Sequence, residues 1–277
     1  MNKLFTFAAG VVGLWFQTTP ASAFSVTVIP AGPVVFSGFS AEMAIDHVGS
    51  SSTLDVGDSI RSIFTLNRLN GVPTYGAGTA NPELTGVSQV RVITKVSTAT
   101  PALFDYTFGP DPASGLGPGN VAALYEDAGD DFTRICGTVA ACDATARNGA
   151  LPATFGMAGG FWDATIVEDL SVGAVLAPGS PLGAFAMALD FTLNNTGVVW
   201  GKANCTDPFT ATVSSVDVCG TGTFDASGRN TTGPATPYDV FDPLELALYR
   251  IPEPRTLVIV GFGFLALGLS RRRSLAS

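Results

Sequence analysis

Residues 184–193 read Ala184-Phe185-Ala186-Met187-Ala188-Leu189-Asp190-Phe191-Thr192-Leu193, and their period is two. In an extended chain Phe185, Met187, Leu189, Phe191 and Leu193 share one face, while small and polar residues take the other. That is the pattern of an antiparallel strand with one face buried. The same alternation recurs in Ser25–Ile29, in Gln89–Val96, in Phe209–Ser214 and in Leu244–Tyr249. In Gln89–Val96 it sets Val90, Val92 and Val96 apart from Arg91 and Lys95. In Leu244–Tyr249 it sets Leu244, Leu246 and Leu248 against Glu245 and Tyr249. Turn clusters separate these runs: Asn70-Gly71, Gly76-Ala77-Gly78 and Gly115-Leu116-Gly117-Pro118-Gly119. Helical periodicity is short, over Asn120–Asp127 and Ala141–Arg147. The expected fold is all-β: one antiparallel β-sandwich or jelly roll over residues 24–250, a size that single all-β domains reach.

Composition agrees. Glycine (32) and proline (18) make about 18% of the 277 residues, above the roughly 12% of average usage, and hydrophobic residues make 46%. Charged residues are only 13%, too few for a long coiled coil. The apolar content is too high for a disordered polyelectrolyte. Residues 24–250 hold nine basic and 22 acidic side chains, a net charge of −13. That balance argues against nucleic acid as a partner and for solubility.

Both ends differ from this body. Lys3, the apolar run Leu4–Phe16, Pro20 and the small-x-small triplet Ala21-Ser22-Ala23 form a secretory signal peptide over residues 1–23, with Ala21 and Ala23 as the cleavage signal. At the other end Thr256–Ser270 carries no charge and is followed by Arg271, Arg272 and Arg273. As a helix, fifteen residues reach about 22 Å against a hydrocarbon core of about 30 Å, a short transmembrane helix. The arginines fit cytoplasmic retention, so they act as a membrane stop. Before the span, Ile251-Pro252-Glu253-Pro254 is extended and accessible, since two prolines exclude helix and ladder pairing.

Pro252, Glu253 and Pro254, then an apolar span, then a terminal arginine cluster: this order resembles the PEP-CTERM sorting signal of Gram-negative bacteria. Ile251 stands where that signal usually has valine. The resemblance covers residues 251–273 and is supported by the signal peptide at the other end. It implies export by the general secretion machinery, an inner-membrane-anchored precursor, handling by an exosortase, and delivery to the cell surface or extracellular matrix. The tail says how the protein is sorted and nothing of what residues 24–250 bind.

Four cysteines lie in the exported part: Cys136, Cys142, Cys205 and Cys219. An even number in an oxidising compartment predicts two disulfides. Three pairings exist; Cys136–Cys142 with Cys205–Cys219 closes two local loops and is preferred. The spacings miss the usual zinc pattern.

For catalysis the sequence offers little. His47 is the sole histidine, with Asp46 and Asp55 nearby, and no Gly-x-Ser-x-Gly elbow accompanies it. The acidic run Glu126-Asp127-Ala128-Gly129-Asp130-Asp131 is the weak metal candidate, through Glu126, Asp127, Asp130 and Asp131, with calcium the suited cation. It lacks the spacing of an EF-hand loop. Glu168-Asp169 is a second carboxylate pair, of the kind glycosidases use. Trp162 and Trp200 could stack on sugar rings, or belong to the core. The expectation is a non-enzymatic surface or matrix protein without a required cofactor, associated with exopolysaccharide or biofilm. The alternatives are a calcium-dependent carbohydrate-binding domain and a secreted glycan hydrolase.

Overall fold

The computed structural model describes residues 29–47, 53–168, 181–225, 238 and 240–251. The strands in chain order begin with β1 (Gly32–Ile45), β2 (Ser59–Leu69), β3 (Val72–Pro73), β4 (Glu83–Ser97), β5 (Leu103–Pro110) and β6 (Asn120–Asp127). Helix α1 (Val139–Arg147) follows, then β7 (Ala150–Val167), β8 (Pro181–Asn194), β9 (Trp200–Gly201), β10 (Ala203–Thr206), β11 (Val213–Val216), β12 (Val218–Asp225) and β13 (Val240–Arg250).

All-β is correct, but the sandwich or jelly roll is not: the main sheet closes into a barrel. Neighbours run β2, β1, β13, β12, β8, β7, β5, β4, all antiparallel, and β4 pairs back onto β2 from Ser59↔Arg91 to Thr65↔Thr85. β5 and β6 share one position in the wall end to end. β4 holds β6 along Glu83–Ser88 and β5 along Val90–Ser97, and β7 holds both in the same way. The long strands β4 and β7 make this possible. Period-two alternation is identical in a sandwich and a barrel, because each needs one buried face per strand. What separates them is the β2–β4 pairing, which no local pattern encodes.

The lumen is the main core. Phe64, Trp162, Phe185, Met187, Leu189, Leu244, Leu246 and Leu248 all point into it. Two pads cover the outer wall. One packs α1 and the Cys136–Cys142 loop over Ala41, Ile63, Val87 and Ala123. The Thr138 hydroxyl caps this helix by accepting from the Ala141 amide, and Cys142 and Ala146, one turn apart, face the wall. The other pad lays the β10–β11 hairpin over Phe161, Ala186 and Ala188, with Cys205–Cys219 pinning it to β12. Both preferred disulfide pairings are thus present, each with Cα atoms 5.5 Å apart.

Two local expectations fail. Asn120–Asp127 is strand β6, not helix. Val121, Ala122 and Leu124 belong to the lumen core and Ala123 to the α1 pad, so apolar residues on both faces erased the alternation. Phe209–Ser214 is strand only from Val213. The Asp207 carboxylate accepts from the Phe209 and Thr210 amides (2.9 and 3.1 Å) and holds the preceding residues as a turn. The N-terminal signal and the span 256–270 lie outside the described residues. Among the described residues no helix is long and apolar enough to cross a membrane.

Closure is tight where β1 shifts register against β2, between Ser37 and Gly38. A Cβ on Gly38 would meet the Thr65 carbonyl oxygen at 1.8 Å, a backbone atom that cannot swing aside. Gly38→Ala is expected to lower stability by at least about 2 kcal/mol, the range of overpacked cores. Urea unfolding checks this, and an unchanged midpoint would show that β1 and β2 are not held this closely.

Candidate functional site

The acidic run sits at the end of β6 and in the loop after it. Asp127 pairs in register with Glu83 of β4, and Asp131 folds back toward both. Glu83, Asp127 and Asp131 bring carboxylate oxygens within 4.8 Å of one another. Glu83 is buried, and its Oε2 accepts from the Asp131 and Phe132 amides at 3.1 Å each. Burial pushes the Glu83 carboxyl above its ordinary pKa; the two amides pull it down, and Asp130 and Asp131 push it up again. Asn148 donates to both oxygens of Asp131 at 3.0 Å. Of the four candidates, only Asp127 and Asp131 enter this cluster. Asp130 and Glu126 stay out of it, and the Glu126 charge, after burial, helps raise the pKa of Tyr75. Glu83 was missed because it is far upstream; only the β4–β6 register brings it in. Hard oxygens of this kind suit calcium, which takes six to eight of them; three are supplied here.

Among the described residues His47 forms no catalytic triad. Its Nε2 is 4.0 Å from Asp111 Oδ2. The fully buried Ser59 hydroxyl donates to that same carboxylate at 2.6 Å and not to the imidazole. Burial would raise the Asp111 pKa, but Ser59, Gln89 and the Ala113 amide together hold it below its ordinary value. The chain of bonds continues from Gln89 to Arg61 and from Arg61 to Asp143. Asp143 also accepts from Tyr238. This network fastens α1 to the wall.

Of the Glu168-Asp169 pair only Glu168 is described; Asp169 lies outside the described residues. Glu168 is fully buried at one end of the barrel. It meets Lys95 Nζ at 2.9 Å and accepts from the Leu54 amide at 3.0 Å and from the Tyr106 hydroxyl. Burial, then Glu168, raises the Tyr106 pKa. Trp162 faces the lumen against Phe185, with ring centroids 6.2 Å apart. Trp200 is half-buried and stacks on Phe191. Trp162 therefore offers no face to a sugar.

The lumen holds two acids that the sequence reading passed over. Glu42 and Asp242 are 3% and 1% exposed and interact with each other. Glu42 Oε1 accepts from Ser40 and Ser62 at 3.1 and 3.4 Å. The adjoining cavity is about 30 Å³, room for about one water. Burial pushes the Glu42 carboxyl up to about 7, against the pull of Asp242, Ser40 and Ser62. Carboxyls in mutual contact leave no space for a glycosidic bond between them, which needs separations above about 5 Å. A similar contact joins Asp163 of β7 to Asp207 of the hairpin turn. Burial, then Asp207, pushes Asp163 up to about 6, while Thr107 pulls it down.

Ala21, Ala23, Pro252, Glu253, Pro254, Arg271, Arg272 and Arg273 lie outside the described residues. The last described residue, Ile251, is exposed directly after β13. Comparison of the chain with protein-family models, with curated proteins and with solved structures finds no match.

The Glu42 carboxyl has a folded pKa raised above the ordinary 4.5, so the fold binds this proton more tightly than the unfolded chain. Its stabilisation is complete below 4.5 and is lost as pH rises through about 7. Glu42→Gln removes that loss. Thermal melts between about pH 5 and pH 8 should show the native protein falling and the variant falling less, with the variant the more stable at the upper end. Parallel curves would exclude Glu42 as the source.

Proposed function

We propose that the chain is an exported, non-enzymatic surface or matrix protein whose barrel is delivered by a PEP-CTERM tail. The observation that carries this reading is the order Pro252-Glu253-Pro254, uncharged Thr256–Ser270, then Arg271, Arg272 and Arg273, in a chain that opens with a signal peptide. An exosortase would take the extended motif, and the general secretion machinery would bring the barrel across the inner membrane first. Two features support it. Both cysteine pairs are disulfide-bonded, as an oxidising compartment allows. The last strand ends at Arg250, so cleavage at the motif would leave the barrel wall whole. The net charge of −13 on residues 24–250 suits a protein that stays dispersed in a matrix of acidic polymers, exopolysaccharide among them. Replacing Pro252, Glu253 and Pro254 together by alanine is expected to abolish tail processing and to retain the precursor in the inner membrane. Fractionation with immunoblotting reads both, and normal release of the triple variant would refute the sorting role.

One observation favours a second reading, calcium-assisted binding of exopolysaccharide: Glu83, far upstream, converges with Asp127 and Asp131. Millimolar calcium should then raise the melting temperature of the native protein but not of Asp127→Asn/Asp131→Asn, and chelator should reverse the gain. The same melting curve with and without calcium would discard this reading.

A further inference from the structure

The barrel end from which the tail leaves carries a continuous apolar strip. Val199, Tyr249 and Ile251 are 56%, 41% and 39% exposed. They are neighbours in space. β9 lies against the end of β13, with Tyr249↔Gly201 and Arg250↔Trp200 in register, and the Ile251 amide donates to the Val199 carbonyl at 2.9 Å. Tyr249 and Ile251 close over Gly201: a Cβ there would meet Tyr249 Cδ1 at 3.0 Å and Ile251 Cγ1 at 3.1 Å. Charge is kept out of the strip. Arg250 turns its guanidinium to the Ile29 carbonyl, and Lys202 is tied down by Asp190 and by Asp217.

Chain geometry limits how far this strip can stand from the bilayer. Four residues, 252–255, separate Ile251 from Thr256, where the uncharged span begins. Fully extended, the five steps from Ile251 to Thr256 reach about 17 Å. The headgroup layer of one leaflet is itself about 5–7 Å thick. An exposed tyrosine beside two branched aliphatic side chains matches the chemistry of that layer, which accepts an apolar body with one polar tip.

We propose that Val199, Tyr249 and Ile251 seat this end of the barrel in the headgroup layer of the membrane that the tail crosses. The partner is a phospholipid surface, met through apolar burial and not through charge, since the barrel is acidic. Seating fixes the barrel's tilt and holds Pro252, Glu253 and Pro254 at the water–lipid boundary, where a membrane-embedded enzyme would reach them. The proposal rests on the reading of residues 256–270 as a membrane span.

The test uses the full chain in phosphatidylcholine vesicles that contain lipid brominated near the headgroup. Tyr249→Trp reports from the strip. Val96→Trp reports from the opposite end of the barrel, where Val96 is also exposed. Both positions are on the surface, so both variants keep the lumen intact. The native chain's own tryptophans set the background, and the expected result is that Tyr249→Trp adds about twofold more quenching over that background than Val96→Trp does, unchanged in high salt, as apolar seating requires. Equal, weak quenching in chains that float with the vesicles would overturn the seating while leaving the tail span in place. Failure of the native chain to float would overturn both.

Discussion

The pairing of β2 with β4 is the constraint on which the rest of the structure depends. It turns a long antiparallel sheet into a closed wall and removes two edges that would otherwise template aggregation. Closure also fixes the lumen volume, because eight strand positions enclose only enough space for side chains to fill. The wall meets that demand by setting large residues against glycine across neighbouring strands. Phe64 pairs with Gly86, Phe185 with Gly222, and Met187 with Gly220. In each case a Cβ on the glycine would lie 2.3 Å from the facing side chain. These glycines supply room for aromatic and thioether bulk rather than backbone freedom, so an exchange there forces the lumen apart.

A filled lumen makes its polar members costly, and the barrel treats them in two ways. Near one end, Lys95 and Glu168 form a buried ion pair, with Lys95 also lying 4.7 Å over the Phe104 ring. Such a pair tolerates burial better because further donors, the Leu54 amide and the Tyr106 hydroxyl, reach the carboxylate at Oε1. Deeper in, Glu42 accepts from two serine hydroxyls and meets Asp242, and among the described residues no lysine, arginine or histidine lines the adjoining cavity. Two carboxyls in such surroundings are stable together only while they retain a proton. The lumen is therefore a packed structural core with a pH-dependent weak point.

The strand pattern was legible to the degree that burial was one-sided. Leu244–Tyr249 behaves as its alternation predicts, with three leucines inside and Glu245 and Tyr249 outside. In Ala184–Leu193 the expected face points inward from Phe185 to Phe191 but not at Leu193, past a register shift against β7, and Ala186 and Ala188 are buried as well, beneath the β10–β11 hairpin. Gln89–Val96 shows a sharper limit. Its register shifts between Val92 and Thr94. One extra residue exchanges the two faces: Val96 points to solvent, while Lys95 turns in to Glu168. Period two cannot reveal a bulge from within a single strand. The candidate acidic cluster was half visible for the same reason. Asp127 and Asp131 are neighbours in sequence, but Glu83 joins them only through a pairing set by the fold. The disulfides were legible because both are local.

Those two disulfides explain how a barrel this size carries outer pads at all. Each pad rests on a small apolar cluster, far smaller than the lumen core, and would dock weakly by burial alone. The α1 pad adds Arg134, whose guanidinium lies 4.4 Å from the Phe241 ring and whose pKa burial lowers. The hairpin pad gains least from burial and contains a carboxyl contact, Asp163 with Asp207, that opposes docking once both are charged. That pad is also the one closed by the longer disulfide loop, Cys205–Cys219. Chain-entropy arguments assign such a loop about 3 kcal/mol, more than the shorter Cys136–Cys142 loop can give. The covalent link is thus strongest where the non-covalent contact is most sensitive to pH.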